Sequence, residues 1–298
     1  MATEPTIMIC AGATKAGTTS LYRYLHDHAD CHLRSVKEIH YFDTVEFDDY
    51  DHQLGTLGRL RQDRVAKQDR CRDAGEDWRV RNLDRQIKDV DDLVTLLQLG
   101  DDGDAAYLDY LMDGAGDAKL VGDITPGYAL LSQARMARIA ALSPHVRFVF
   151  LMRDPIERLW SHVRMQAVRN CQPGEEVPLK AKRILNRTVK KDMERHIAKR
   201  GDYAAILDKL RQAVPSDRLF VGFSEEVLQG DGLKRLCDFL AIGYVPVELM
   251  PHVHKGEPLK LNDRQRRDAA EFLAPQYAYA EQHYGPLPDA WQANLARI

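Results

Sequence analysis

Short runs of apolar residues recur along the chain, and most are followed by a segment whose apolar positions have helical spacing. The runs lie at 6–11, 31–34, 119–125, 146–152 and 218–223. Continuous apolar runs of this length are typical of strands buried on both faces of a sheet. The helical spacing predicts helices at 18–28, 132–142, 155–169, 202–213, 233–240, 263–272 and 276–283. Alternating strands and helices predict an α/β fold with a central parallel sheet flanked by helices.

A different composition marks the stretch from about 48 to 104. It is rich in Arg, Lys, Asp, Glu and Gln with spaced Leu and Val, and its helical periodicity is strongest at 83–99. We predict a helical insertion here, and its charged face is more typical of a solvated surface than of a basic platform for a substrate. A length of 298 residues is compatible with one α/β domain. We therefore interpret 1–298 as a single domain that carries this insertion.

The composition narrows the classes of function. Hydrophobic residues make up 44% and charged residues 29% of the chain, and the formal net charge is -3. A chain without a net basic field is not expected to bind nucleic acid. The five cysteines are scattered and free of CxxC spacing, which predicts reduced thiols. We find neither a signal peptide nor an apolar stretch of about 20 residues. A cytoplasmic protein without membrane insertion is expected, and the oligomeric state stays open.

The segment 12–20, Gly-Ala-Thr-Lys-Ala-Gly-Thr-Thr-Ser, joins the first predicted strand to the first predicted helix. Gly12 and Gly17 have the spacing of a phosphate-binding loop, and the N–H groups and positive dipole end of the following helix favour an anion. A kinase or NTPase carries its lysine directly after the second glycine. Here Thr18 takes that place, and Lys15 precedes Gly17. We predict a P-loop-like site for a nucleotide, in which Lys15 meets a group bonded to the 5′-phosphate.

A second candidate anion site lies at the end of the fourth predicted strand. Arg153 follows this strand, at the sheet edge where ligands of open α/β folds bind. Asp154 suits the N-cap of the next helix, and Ser161 returns to the same face about two turns later. An arginine and a hydroxyl that face one point suit a second phosphate. The alternative is that Arg153 caps the sheet through a salt bridge to Asp154 or Glu157.

Three segments in this order, 12–20, 37–43 and 152–161, resemble the PAPS-dependent sulfotransferases, most closely the branch of heparan sulfate sulfotransferase domains and their bacterial relatives. Looser matches occur at 123–128, 201–203, 218–240 and 255–256. The resemblance implies a P-loop-like three-layer fold. It also implies transfer of a sulfuryl group from 3′-phosphoadenosine 5′-phosphosulfate (PAPS) to a hydroxyl or amine of a small-molecule or glycan acceptor, with release of adenosine 3′,5′-bisphosphate (PAP). No metal is implied, and the sequence contains no metal-ligand cluster.

The same resemblance assigns roles to individual residues. Contacts to the 5′-phosphosulfate are implied for Lys15, Ala16, Gly17, Thr18, Thr19 and Ser20, and contacts to the 3′-phosphate for Arg153 and Ser161. Lys15 would neutralise the leaving phosphate oxygen, Glu38 would be the general base, and His40 would lie beside the acceptor. Lys255 and Gly256 match a donor-binding lid, but Glu257 follows them in place of an aromatic residue.

Glu38 and His40 remain alternative candidates for the general base. Apolar neighbours such as Ile39 and Phe42 are expected to bury Glu38 in part. Burial raises the pKa of a carboxyl group toward the range of a useful base. Considered without the family, these residues fit a solvated pair of Lys37 with Glu38 and a histidine that only packs better than they fit catalysis.

One departure from the family bears on the acceptor. A Glu-Lys-Ser-Pro-type segment helps contact the acceptor in many members. Alignment on Pro126 puts Asp123 at its acidic position and Ile124 at its lysine position. The loss of this lysine disfavours an acidic, glycosaminoglycan-like acceptor.

Two other functions compete with sulfuryl transfer. A P-loop kinase for a small metabolite would share the fold, but it would need magnesium and a lysine directly after Gly17. A non-catalytic nucleotide-binding protein would use the insertion as its interaction surface, and the presence of Glu38 beside both phosphate anchors argues against it.

Overall fold

The computed structural model describes residues 4–246 and 259–296, and within them one five-stranded parallel sheet forms the centre of the molecule. Its strands are β1 (Thr6–Gly12), β2 (Cys31–Leu33), β3 (Leu120–Ile124), β4 (Val146–Met152) and β5 (Leu219–Phe223). The order across the sheet is β2-β3-β1-β4-β5. Each predicted strand is confirmed to within one or two residues. The predicted α/β fold, with a P-loop-like central sheet between helices, is therefore also confirmed.

The helices of the described residues cover the sheet and extend beyond it. They are α1 (Thr18–His26), α2 (Tyr41–Phe47), α3 (Tyr50–Asp73), α4 (Asp77–Gln98), α5 (Asp104–Met112), α6 (Gln133–Ala141), α7 (Pro155–Arg169), α8 (Val177–Lys191), α9 (Arg195–Lys199), α10 (Tyr203–Ala213), α11 (Ser224–Val227), α12 (Gly230–Leu240), α13 (Asp263–Tyr284) and α14 (Asp289–Leu295). In the described part of the chain, none of them is long and apolar enough to cross a bilayer.

The predicted helical insertion consists mainly of α3 and α4, which a short turn joins into a hairpin. The Arg61 guanidinium binds both carboxylate oxygens of Asp91 across the hairpin, at 2.7 and 3.1 Å. At its base, buried Arg34 follows β2 and pairs with Asp89 of α4 at 2.9 Å. Leu93 of α4 belongs to the hydrophobic cluster that also contains the sheet. The insertion is thus anchored to the sheet by both charge and apolar packing.

Helix α13 differs from the prediction, which placed two helices on either side of a break. Pro275 lies inside one continuous helix, although a proline lacks the N–H for the helical hydrogen bond and clashes with the preceding turn. Leu273 and Tyr277 on both sides of the proline are buried. Apolar burial on both sides of Pro275 offsets the lost hydrogen bond. Local sequence signals do not reveal this burial.

The strand order places a candidate site at one edge of the sheet. β1 lies at the centre, with β3 on one side and β4 on the other. The chain therefore leaves the carboxyl ends of β1, β3 and β4 side by side, at the point where consecutive connections diverge. Ligands of open α/β folds bind at this point.

Candidate functional site

The loop between β1 and α1 adopts a shape that only glycine permits at two positions. Gly12 has a φ of +148° and Gly17 a φ of +85°. A Cβ on Gly12 would lie 2.7 Å from Phe150 Cε2, and one on Gly17 would lie 2.5 Å from Leu228 Cδ1. The tight turn delivers the chain to the N-terminus of α1 at Thr18. The first N–H groups of a helix have no acceptor within it and carry the positive end of its dipole.

Lys15 lies in this loop with a φ of +73° and a half-buried side chain. Burial lowers the pKa of its ammonium group, and the nearby charges of Arg153, Arg169 and Arg164 lower it further. Several cations near one loop repel one another, and binding of an anion among them would relieve that repulsion. The electrostatics of the loop therefore favour an anionic ligand.

Arg153 reaches the same loop from the end of β4. Its guanidinium Nη1 donates a hydrogen bond to the Lys15 carbonyl at 3.2 Å. Among the described residues, no ion pair joins Arg153 to Asp154 or Glu157. Asp154 instead accepts hydrogen bonds from the Glu157 N–H and the Tyr277 hydroxyl, both at 2.9 Å. The first of these confirms Asp154 as the N-cap of α7.

The backbone of Arg153 is fixed by a residue for which the sequence suggested no role. The Tyr203 hydroxyl accepts from the Arg153 N–H at 3.1 Å and donates to its carbonyl at 2.5 Å. Tyr203 is the first residue of α10, and its side chain is fully buried. A hydroxyl that is hydrogen-bonded to both the N–H and the carbonyl of one residue holds the backbone of that residue in place. Ser161, two turns into α7, is partly exposed.

Gly201 precedes Tyr203 and packs directly on Arg158 of α7. The Arg158 side chain is 1% exposed, and its Nη2 donates to the Ile197 carbonyl at 3.3 Å. A Cβ on Gly201 would overlap the Arg158 guanidinium. Close approach of the backbone, and not an unusual φ, therefore requires glycine here.

Gly201→Ala is expected to lower the free energy of unfolding by about 1–3 kcal/mol, because the added methyl group would overlap the guanidinium of the buried Arg158. Urea denaturation measures the change. The matched control is Gly58→Ala in α3, where a Cβ would meet nothing within 4 Å. That control should gain up to about 1 kcal/mol from helix propensity. Equal stability of the two variants would mean that Arg158 moves aside freely.

The segment after β2 brings three ionisable groups together around His40. Its Nδ1 lies 2.7 Å from Asp43 Oδ2, and its Nε2 lies 3.4 Å from Glu38 Oε2. Lys37 Nζ donates to the other oxygen of Glu38 at 2.7 Å. Asp43 has no role in the sequence-based interpretation, although its spacing of three residues from His40 places both on one face of a helix. His40 therefore lies between two carboxylates and is not a simple packing residue.

The expected rise in the pKa of Glu38 is wrong. Burial does raise it, but the hydrogen bond from His40 and the charge of Lys37 outweigh burial and lower the pKa to about 2. The Glu38 side chain is 44% exposed, so the apolar neighbours enclose it only in part. For His40, burial lowers the pKa, and Asp43 and Glu38 together raise it to about 10. At neutral pH Glu38 is a carboxylate and His40 an imidazolium.

The two residues aligned with the acceptor-contacting segment lie inside the sheet. Asp123 and Ile124 are fully buried at the end of β3. The Asp123 carboxylate accepts from the hydroxyls of Tyr107, Tyr128 and Thr125 at 3.0, 2.8 and 2.6 Å. Neither side chain is placed to touch an acceptor. The predicted donor-binding Lys255 and Gly256, with Glu257, fall outside the described residues.

Arg200 adds a positive charge near this cluster. It is the C-cap residue directly after α9, is partly buried, and donates to the His196 carbonyl at 3.1 Å. Burial lowers the pKa of Arg200, and the carboxylates of Asp43 and Glu38 raise it in the opposite sense. No motif marked this residue, because it comes near Glu38 only through the fold.

Comparison with known proteins gives a family for this arrangement. A model of the family described as "Sulfotransferase family" matches residues 5–246 of the 298. The chain belongs to the sulfotransferase family. This sulfotransferase has no match among curated protein sequences.

Solved structures resemble this sulfotransferase over nearly its whole length. The sulfotransferase from Alicyclobacillus acidocaldarius is 20% identical with a TM-score of 0.60, covering 97% of this chain and 99% of that one. The sulfotransferase domain of the Synechococcus PCC 7002 olefin synthase is 18% identical over 96% of both chains, with a TM-score of 0.47. That of the curacin biosynthetic pathway is 19% identical over 100% and 98%, with a TM-score of 0.48. At such identity, the first likeness supports the fold.

Proposed function

We propose that this sulfotransferase takes its sulfuryl group from PAPS and transfers it to a hydroxyl or amine of a small-molecule or glycan acceptor. The observation that carries the proposal is the meeting of Lys15 and Arg153 at the β1 loop, with Glu38 near enough for its charge to raise the pKa of Lys15. A doubly phosphorylated donor carries two anionic groups, and the loop and the end of β4 each contribute a cation.

The donor-binding residues of the proposal are distributed over two elements. The loop and the first turn of α1 would hold the 5′-phosphosulfate through Lys15 and the residues from Ala16 to Ser20, of which Ala16 and Thr18 are buried. Arg153 and Ser161 would hold the 3′-phosphate. The N-terminus of α1 at the end of this loop suits a ligand held in part by main-chain N–H groups. The 3′-phosphate is what distinguishes PAPS from ATP at this site.

The reaction of the proposal is an in-line displacement at sulfur. The bond from sulfur to the 5′-phosphate oxygen breaks, a bond from sulfur to the acceptor oxygen or nitrogen forms, and the acceptor proton passes to Glu38. Lys15 stabilises the charge that develops on the leaving phosphate oxygen. His40, protonated and held by Asp43, orients the Glu38 carboxylate and lies beside the acceptor.

A cytoplasmic location is part of the proposal. All five cysteines are free thiols, and three of them, Cys10, Cys71 and Cys237, are buried. Burial raises the pKa of Cys10 to about 12, which keeps it an unreactive thiol. Free buried thiols fit a reducing compartment.

The proposal is tested by calorimetric titration with PAP and by incubation with ³⁵S-labelled PAPS and an extract of candidate small molecules and glycans. We expect PAP to bind, AMP to bind much more weakly because it lacks the 3′-phosphate, and at least one compound to become labelled. A parallel incubation uses γ-³²P-ATP with magnesium. Transfer of ³²P without binding of PAP would contradict the proposal in favour of a kinase.

A further inference from the structure

The 38–41 turn, which carries Glu38 and His40, is held by hydrogen bonds to a buried relay of hydroxyl groups. Thr125 Oγ1 accepts from the Ile39 N–H at 2.9 Å and from the His40 N–H at 3.4 Å. The Tyr128 hydroxyl accepts from the next N–H, that of Tyr41, at 3.2 Å. Three consecutive main-chain N–H groups of the turn thus donate to two side-chain hydroxyls of the segment that follows β3.

Both hydroxyls are themselves oriented by the Asp123 carboxylate. Thr125 donates to Asp123 Oδ1 at 2.6 Å and Tyr128 donates to Oδ2 at 2.8 Å. An ionised carboxylate only accepts hydrogen bonds, so it fixes the direction of each O–H and turns the oxygen lone pairs toward the N–H groups of the turn. Tyr107 completes the set with a third O–H at 3.0 Å. Asp123, Thr125 and Tyr128 are all fully buried, so water does not compete with them.

The backbone of the turn needs such support. His40 has a φ of +53° and a ψ of +29°, in the left-handed region that is disfavoured for residues other than glycine. Conformations of this kind persist where the surroundings over-determine them. The left-handed residue directs the imidazole between Glu38 and Asp43. The conformation that requires support is the same one that creates the charged cluster.

Gly127 packs directly against the cluster. A Cβ at this position would lie 2.5 Å from Asp43 Oδ2 and 3.2 Å from His40 Cε1. Gly127 directly follows Pro126 in the short 3-10 turn after β3. The segment 123–128 therefore shapes the cluster twice, through the hydroxyl relay and through a glycine that leaves space for Asp43.

We propose that Thr125, oriented by Asp123 and assisted by Tyr128 and Gly127, is a positioning residue that holds Glu38 and His40 in the geometry needed for sulfuryl transfer. The inference rests on the proposed function for its kinetic consequence only. It replaces the direct acceptor contact expected from alignment of the 123–126 segment with an indirect role. A geometric error of about 1 Å at reacting groups can reduce a rate about 100-fold.

The matched pair Thr125→Val and Thr125→Ser tests the relay. Valine keeps the volume but removes the hydroxyl, whereas serine keeps the hydroxyl. With PAPS and the acceptor identified from the extract, we expect kcat of the valine variant to fall about 10- to 100-fold, with PAP affinity unchanged. The serine variant should stay close to the original. Equal kcat in all three proteins, or a parallel loss of PAP affinity in the valine variant, would overturn the proposal.

An NMR titration of His40 provides a readout that needs neither donor nor acceptor. The carboxylates of Asp43 and Glu38 face its ring and keep the pKa of His40 far above the usual 6.5, at about 10. Burial raises the pKa of Asp123 to about 6, and the charge of His40 lowers it in the opposite sense, so the titration is followed above that pH. If the turn shifts, the pKa of His40 should fall in Thr125→Val and not in Thr125→Ser. The signal is assigned by its loss in His40→Gln. An unchanged titration in a folded valine variant would overturn the positioning role.

Tyr128→Phe decides the question if Thr125→Val does not fold. The variant keeps the ring but removes the hydroxyl that accepts from the Tyr41 N–H and donates to Asp123. We expect a loss of kcat and a lower pKa of His40, with PAP binding retained; a folded variant with neither change would overturn the proposal. If the unmodified protein neither binds PAP nor transfers sulfate, the proposed function fails, while the His40 titration still decides the positioning role.

Discussion

Lys15→Ala is expected to lower turnover of PAPS about 100-fold or more and to weaken PAP binding about 10-fold. The larger effect on turnover follows because charge on the leaving phosphate oxygen grows as its bond to sulfur breaks, so an ammonium group stabilises the transition state more than the bound ground state. Lysine and alanine both carry a Cβ, and both therefore meet the same cost at a φ of +73°. The stability of the fold should change little.

Steady-state kinetics with PAPS and calorimetry with PAP measure the two effects separately. Lys67→Ala is the matched control, since Lys67 is an exposed lysine on α3, and it should leave both quantities unchanged. A Lys15→Ala variant with unaltered turnover and affinity would contradict the proposed donor site. A thermal melt excludes unfolding as the cause of any loss.

The strands of the sheet could be predicted well because each one has its own local sequence signal. A strand buried on both faces must be apolar throughout, and β4 (Val146–Met152) shows this without interruption. Helix α8 was missed although Ala181, Ile184, Leu185 and Thr188 are buried at helical spacing. Its many basic residues hid that apolar stripe. For α13, burial on both sides of Pro275 outweighed the strongest local signal for a helix end.

The candidate site likewise has features that the sequence predicts and features that it does not. Glycine spacing and the displaced Lys15 predicted the loop, because a sharp turn and a helix N-terminus are local features. The raised pKa expected for Glu38 failed because Lys37 and His40 fold back onto the carboxylate, which apolar neighbours in the sequence do not reveal. The hydrogen bond from Ile39 to Thr125 spans 86 positions. A single sequence contains no signal for a partner at that distance.

The pKa values of Glu38 and His40 separate the two candidate bases. A general base must hold a free lone pair in the state that reacts. With a pKa of about 2, Glu38 offers one across the whole physiological range, whereas His40, with a pKa of about 10, is protonated there. A low pKa makes Glu38 a weak base. Glu38 nevertheless needs to take the acceptor proton only once the acceptor atom has begun to bond to sulfur, because that bonding makes the acceptor more acidic. The availability of a free lone pair therefore favours Glu38 as the base. The imidazolium of His40 is suited to orienting the Glu38 carboxylate.

Glu38→Gln is accordingly expected to lower kcat by about 100- to 10,000-fold while PAP binding stays intact, because the amide keeps the size of the side chain but accepts no proton. Steady-state kinetics, PAP calorimetry and a pH profile of kcat test this. In the unmodified protein, a Glu38 base predicts no fall in kcat on its account until the pH approaches about 2, since its ionised form persists down to that value. A His40 base predicts instead a rate that rises steadily with pH up to about 10, as the imidazolium loses its proton. Substantial activity in Glu38→Gln together with that rising profile would assign the base to His40.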